Sequence, residues 1–152
     1  MLRELLILLL GVIIGIGVGY YGESLVKQYI TYNFPSTLTL TSDLNTTTVS
    51  IGQTVIFKAT LTTVVPSELS SLKSQLEQIV LNNKPIILEM KDNSSTYWSI
   101  ISTEYTIYGV GAATCSFTFT FQTAGTYDFK VVFEGDNILQ PSESQIITMT
   151  VT

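Results

Sequence analysis

The sequence predicts a long N-terminal hydrophobic α-helix followed by an all-β sandwich with a short inserted helix. Three observations predict this fold class. No charged side chain stands between Leu5 and Tyr21. After Pro35 the apolar residues switch from a spacing of three and four to strict alternation. Between Pro66 and Pro85 the helical spacing returns once. The 152 residues are 45% hydrophobic and only 12% charged, which suits one ordinary domain plus an apolar appendage. The division falls at Pro35, giving a helix over 1–34 and an exterior β-domain over 35–152.

The first element follows from its uncharged run. At 1.5 Å per residue, Leu5 to Tyr21 would span about 26 Å, close to a ~30 Å hydrocarbon core. Arg3 ahead of the run predicts a cytoplasmic N-terminus by the positive-inside rule, with Tyr20 and Tyr21 at the far interface. A secretory signal peptide is disfavoured, because "GYYGES" stands where a small-x-small cleavage site would be. In "ESLVKQYITYN" the apolar residues Leu25, Val26, Tyr29 and Ile30 continue the helical spacing, so one helix of about thirty residues, roughly 45–50 Å, is expected. Gly11, Gly15 and Gly19 fall on one face of it. Each glycine costs about 0.8–1 kcal/mol relative to alanine in a helix interior, and three on one face favour close approach of another helix.

The strands follow from alternation. "TVIFKATL" places Val55, Phe57, Ala59 and Leu61 on one face, "CSFTFTF" does so with Cys115, Phe117, Phe119 and Phe121, and "YDFKVVF" with Tyr127, Phe129, Val131 and Phe133. Turn chemistry in "SIGQT", "KDNSST", "GVGAA", "TAGT" and "EGDN" separates about seven strands, the number of a small sandwich. The inserted helix has Leu69, Leu72, Leu76, Ile79 and Val80 as its stripe and Ser67 as its expected N-cap.

Composition excludes much chemistry. The net charge of −5 comes from few charges and argues against nucleic acid as a partner, while threonine, serine, asparagine and glutamine supply the polar surface, as suits an exterior domain. Cys115 is the single cysteine and histidine is absent, which rules out an intramolecular disulfide, a Cys/His zinc site, a Ser-His-Asp triad and a Cys-His dyad. Glu134, Asp136 and Asn137 have oxygen ligands suited to calcium but lack a spaced D-x-D-x-D loop, so solvated turn residues are expected. Glu89 and Glu104 as a glycosidase pair would lie on different strands. Glu4 reads equally as an interface residue or a partner for a neighbour's terminal amine. No enzyme activity, catalytic residue, metal or cofactor is expected. Asn45 in "NTT" and Asn93 in "NSS" are N-glycosylation sequons on expected loops.

"AGTYDFKVVFEGDNILQPSESQIITMTV", preceded by "VSIGQTVIFKATL", resembles the immunoglobulin-like repeats of microbial surface proteins, with Gly125, Tyr127, Gly135, Asp136, Pro141, Ser142 and Ser144 at the spacing of that pattern. The resemblance implies an immunoglobulin-like sandwich serving as spacer or adhesion module, from which the Ser67 to Asn83 segment departs. The whole layout resembles archaeal type IV pilins and archaellum-related proteins. That resemblance implies a structural subunit of an extracellular filament, polymerising through its N-terminal helix with heads outside, for adhesion or motility. Its partners would be further copies of itself, the membrane before assembly, and the surface layer or cell surfaces. Pilin precursors carry a basic leader, and only "MLRE" stands here; either this is the processed form, or Met1 is the true start. The latter case resembles a membrane-anchored archaellum stator or surface-layer-binding protein.

Overall fold

In the computed structural model, which describes residues 33–152, the alternating segments form strands wherever one face can be buried. They are β1 (Ser36–Ser42), β2 (Thr48–Val49), β3 (Thr54–Thr63), β4 (Pro85–Asp92), β5 (Ser99–Tyr105), β6 (Ile107–Tyr108), β7 (Ala113–Thr120), β8 (Gly125–Phe133), β9 (Ser142–Glu143) and β10 (Ile147–Val151). One sheet has the order β1-β3-β7-β6; the other runs β2-β10-β8-β4-β5, with β9 alongside β8. β2 joins β10 in parallel, and the remaining strand pairs are antiparallel. This is the strand order of an immunoglobulin-like sandwich, in which the first, second, fifth and fourth main strands face the last, sixth and third.

The core fills the space between the sheets. Val55, Phe57, Ala59 and Leu61 of β3 are fully buried, as are Phe129 and Val131 of β8 and Ile86 and Leu88 of β4. Two residues after Tyr127 stands Phe129, at the place where antibody domains carry the second cysteine of their cross-sheet disulfide. Its ring lies 4.6 Å from that of Phe57 on the facing sheet. An aromatic pair therefore occupies the centre of a sandwich that has no cysteine pair to use. Tyr127 turns the corner into β8, and its hydroxyl donates to the carbonyl of Thr123 at 3.1 Å, the tyrosine-corner contact of this fold.

The expected fold class requires correction. Among the described residues no helix is long and apolar enough to cross a membrane, and the single helical segment is short: a 3-10 stretch, Ser67–Leu72, running into α1, Lys73–Leu81. The fold described is a two-sheet sandwich with this insert, and not a long helix joined to a sandwich. The helix expected over 1–34, with Gly11, Gly15 and Gly19, falls on residues outside those described, apart from Asn33 and Phe34. Phe34 itself belongs to the sandwich: it is 3% exposed and bridges to Leu139.

Smaller corrections have local causes. The N-cap of the helical segment is Pro66, with no side-chain cap, so Ser67 does not fill that role. The tight first turn shifts the apolar stripe: Leu69, Leu76, Val80 and Leu81 are buried, Leu72 and Ile79 only half-buried, and Glu77 is drawn inside. There Glu77 accepts from the Tyr108 hydroxyl at 3.1 Å and lies 3.7 Å from Lys73. Phe119, expected in the core, is half-buried and leans on Phe121 and Phe129 at 5.0 and 5.3 Å.

Candidate functional site

Antiparallel strands send their connections alternately to two ends of the sandwich, and these ends differ. At one pole Phe34 joins the domain: its amide donates to Ile138 O at 2.7 Å and its carbonyl accepts from Gln140 N at 2.8 Å. The helical insert and the 109–112 turn leave the ends of β3 and β6 at the same pole, since Ser36 pairs with Thr63 and Tyr108 with Ala113. At the other pole the chain ends, with Ile51 N bonded to Thr152 O at 3.1 Å and Gly52 N to Phe121 O at 2.8 Å. Both sequons belong to this second pole. Asn45 is exposed in the β1–β2 connection, just before Thr47, whose carbonyl accepts from Thr150. Asn93 is exposed in the β4–β5 turn, and its amide donates to Thr126 O at 3.2 Å. A seven-residue strand such as β1 spans about 20–24 Å, which sets the separation of the poles.

The acidic turn after β8 has a structural task. One oxygen of Asp136 accepts from the amides of Ile138 and Leu139 at 2.8 and 2.7 Å, and the other is paired with Lys84. Asp136 thereby shapes the 134–141 loop that receives Phe34, while Glu134 and Asn137 point to solvent. Among the described residues no group of three acidic or sulfur side chains is placed to hold a metal. Burial alone would raise the Asp136 pKa, but Lys84 and the two amides outweigh it and hold the carboxyl below its usual range. A folded pKa below the unfolded value of about 3.9 stabilises the protein above that pH and ceases to do so as pH falls through the folded pKa. In thermal melts, Asp136→Asn should therefore be less stable than the parent at neutral pH, and the gap should narrow on acidification below about pH 4. A pH-independent gap would show that the carboxylate's charge is not what stabilises the loop.

Glu89 and Glu104 do not meet. Glu89 lies opposite Ile100 and pairs with Lys130 at 3.5 Å on the outer face, whereas Glu104 stands opposite buried Ile86 and so faces the other way. Cys115 is buried, and its thiol is pushed up to about 12 by burial, with the charge of Glu104 adding to it. An unreactive core thiol results.

A lattice unseen in the sequence covers the outer face of the larger sheet. Lys130 lies 3.0 Å from Glu143 and 4.6 Å from the Trp98 ring; Lys91 lies 3.8 Å from Asp128 and 5.1 Å from the same ring. Exposed ion pairs contribute about 0–1 kcal/mol each, so the lattice chiefly keeps this face polar. Its members come from β4, β8, β9 and the turn before β5, which only the strand register brings together.

No protein-family profile matches the chain, and no curated protein does. Solved structures resemble it distantly. The CARDB domain of a Pyrococcus furiosus protein is 6% identical over 80% of this chain and 97% of that one, with TM-score 0.48. Superoxide reductase (neelaredoxin) from Ignicoccus hospitalis is 11% identical over 77% and 83%, with TM-score 0.44. A β-glucosidase from Listeria innocua is 11% identical over 76% of this chain but 16% of its own, with TM-score 0.45. At these levels neither activity nor ligand transfers from any of them. The class defined by the strand order and the tyrosine corner is an immunoglobulin-like β-sandwich.

Proposed function

We propose that this chain is a structural subunit of an archaeal type IV pilus-like extracellular filament, assembling through its apolar N-terminal segment and presenting the sandwich outward for adhesion or motility. The observation that carries the proposal is the polarity of the domain. Residues 1–32 precede Asn33 at one pole, while both sequons lie at the other. A head tethered in this way turns its glycan-accepting pole away from the assembling segment, where modification does not obstruct packing. The threonines on β1 (Thr37, Thr39 and Thr41) are exposed and suit a surface that stays hydrated without relying on charge.

The test is Gly15→Leu. Leucine favours both hydrocarbon and the helical state over glycine, so a solitary anchor would tolerate it, whereas close approach between neighbouring segments would be blocked. Surface filaments, counted by electron microscopy, should disappear while the membrane-associated subunit level stays unchanged. Normal filament numbers would overturn assembly through this glycine.

A further inference from the structure

We propose that the β5 edge is a pairing surface for a second copy of this chain, joining two sandwiches through antiparallel β5–β5 hydrogen bonds. An edge strand presents unpaired N–H and C=O groups, and folded proteins generally blunt such edges with side chains, charges, prolines or brevity. The two sheets end on β1 and β6 and on β2 and β5, with the two-residue β9 also paired on one side only, and these edges are treated unequally. On β1 the amide of Gln145 occupies both outward backbone groups of Leu40: its Nε2 donates to Leu40 O at 2.6 Å and its Oε1 accepts from Leu40 N at 3.4 Å. β2 and β6 are each two residues long. β5 is seven residues long and contains neither lysine nor proline; its one charge, Glu104, stands opposite buried Ile86 and its bulge falls at Ile101, so residues 102–105 keep a regular register, and among the described residues the strand has no backbone partner on its outer side. Ile100 and Tyr105 on it are 66% and 58% exposed.

The strand is complementary to itself, which selects a second copy over a foreign strand. Its pairing with β4 puts Thr103 and Tyr105 on the outer face, opposite Ile87 and Pro85, and Ser102 and Glu104 on the other; the register shifts at Ile101. An antiparallel pair centred on Thr103 sets threonine against threonine and Ser102 against Glu104. Tyr105 then meets the Ile100–Ile101 irregularity twice, once from each copy. Thr–Thr and aromatic–β-branched pairs are favourable cross-strand neighbours, and the arrangement keeps the two Glu104 carboxylates from facing each other. Because the pair is two-fold symmetric and uses up the β5 edge of both copies, and the opposite edge of the same sheet is the two-residue β2, pairing ends at two copies. The inference goes beyond the filament proposal and does not depend on residues 1–32.

Cysteine cross-linking of the full chain in membranes tests it. Side chains opposite each other across an antiparallel pair have Cβ atoms about 4.5–5.5 Å apart, near the reach of a disulfide. Under mild oxidation Thr103→Cys should give a dimer band on a non-reducing gel, whereas Thr39→Cys, on the covered β1 edge, should stay monomeric. Both keep buried Cys115, whose own contribution the unsubstituted chain measures. Adding Ile100→Lys and Tyr105→Lys to Thr103→Cys should remove the dimer; Ile100→Lys alone serves if the double change weakens folding, as judged by protease resistance. No excess of dimer over Thr39→Cys, a dimer that survives the lysines, or a cross-linked band of a mass other than twice the chain's would each overturn the proposal.

Discussion

Phe129→Ala should destabilise the sandwich by about 3–5 kcal/mol, the range found when a buried aromatic ring is cut back to a methyl. Phe129 is fully buried, and its ring meets those of Phe57, Phe119 and Phe121 at 4.6, 5.3 and 5.9 Å. Aromatic contacts of this kind add about 0.5–1.5 kcal/mol beyond the area they bury. The neighbours cannot collapse into the gap freely, because Phe57 sits on β3 and is fixed between β1 and β7 by register. A domain of ordinary stability, about 5–15 kcal/mol, would lose about a fifth of it or more. Urea denaturation of residues 33–152 gives the measurement. A loss below about 1 kcal/mol would show that the two sheets do not depend on this ring for their packing.

The place of Phe129 was readable because from that residue on β8 buries every second side chain fully and leaves those between them only half-buried, so alternation in the sequence carries the orientation. Tyr127 was legible for a different reason: a ring just before such a strand, with a hydroxyl to satisfy, has few partners except the backbone at the corner, and Thr123 provides one. The same alternation overstated Phe119. It points the right way but stands near the rim, where the opposing sheet no longer covers it fully. Contacts between residues far apart in sequence were not legible at all. Gln145 covers Leu40 across 105 residues, and nothing in "SESQII" marks that glutamine as an edge guard. The Trp98 lattice and the drawing of Glu77 toward Tyr108 likewise depend on register and on a 3-10 turn that periodicity does not reveal. Of the candidate functional features, the sequons were visible as motifs, but their shared pole emerges only from the topology. The glycines of the N-terminal segment lie outside the described residues.

Gly135→Ala should cost about 2–4 kcal/mol through two separable effects, backbone strain and steric overlap. Gly135 has φ +82°, where a β-carbon is disfavoured by about 1–2 kcal/mol. A β-carbon placed there would also stand 2.8 Å from Pro141 N and 2.9 Å from its Cδ. Proline's ring holds that backbone stiffly, and the adjoining chain is fastened by Asp136 N to Leu139 O at 2.9 Å and by Gln140 N to Phe34 O at 2.8 Å, so the loop cannot yield without loosening the place where residues 1–32 join. Gly111→Ala provides the comparison. Gly111 has a similar φ of +77° but nothing within 4 Å of the added carbon, so its substitution should carry the strain alone, about 1–2 kcal/mol. Denaturation midpoints of the two variants, measured side by side on the same domain, separate the effects. If Gly111→Ala proved as costly as Gly135→Ala, the close approach of Pro141 would contribute nothing, and the fixed 134–141 loop would not be what holds Phe34 against the core.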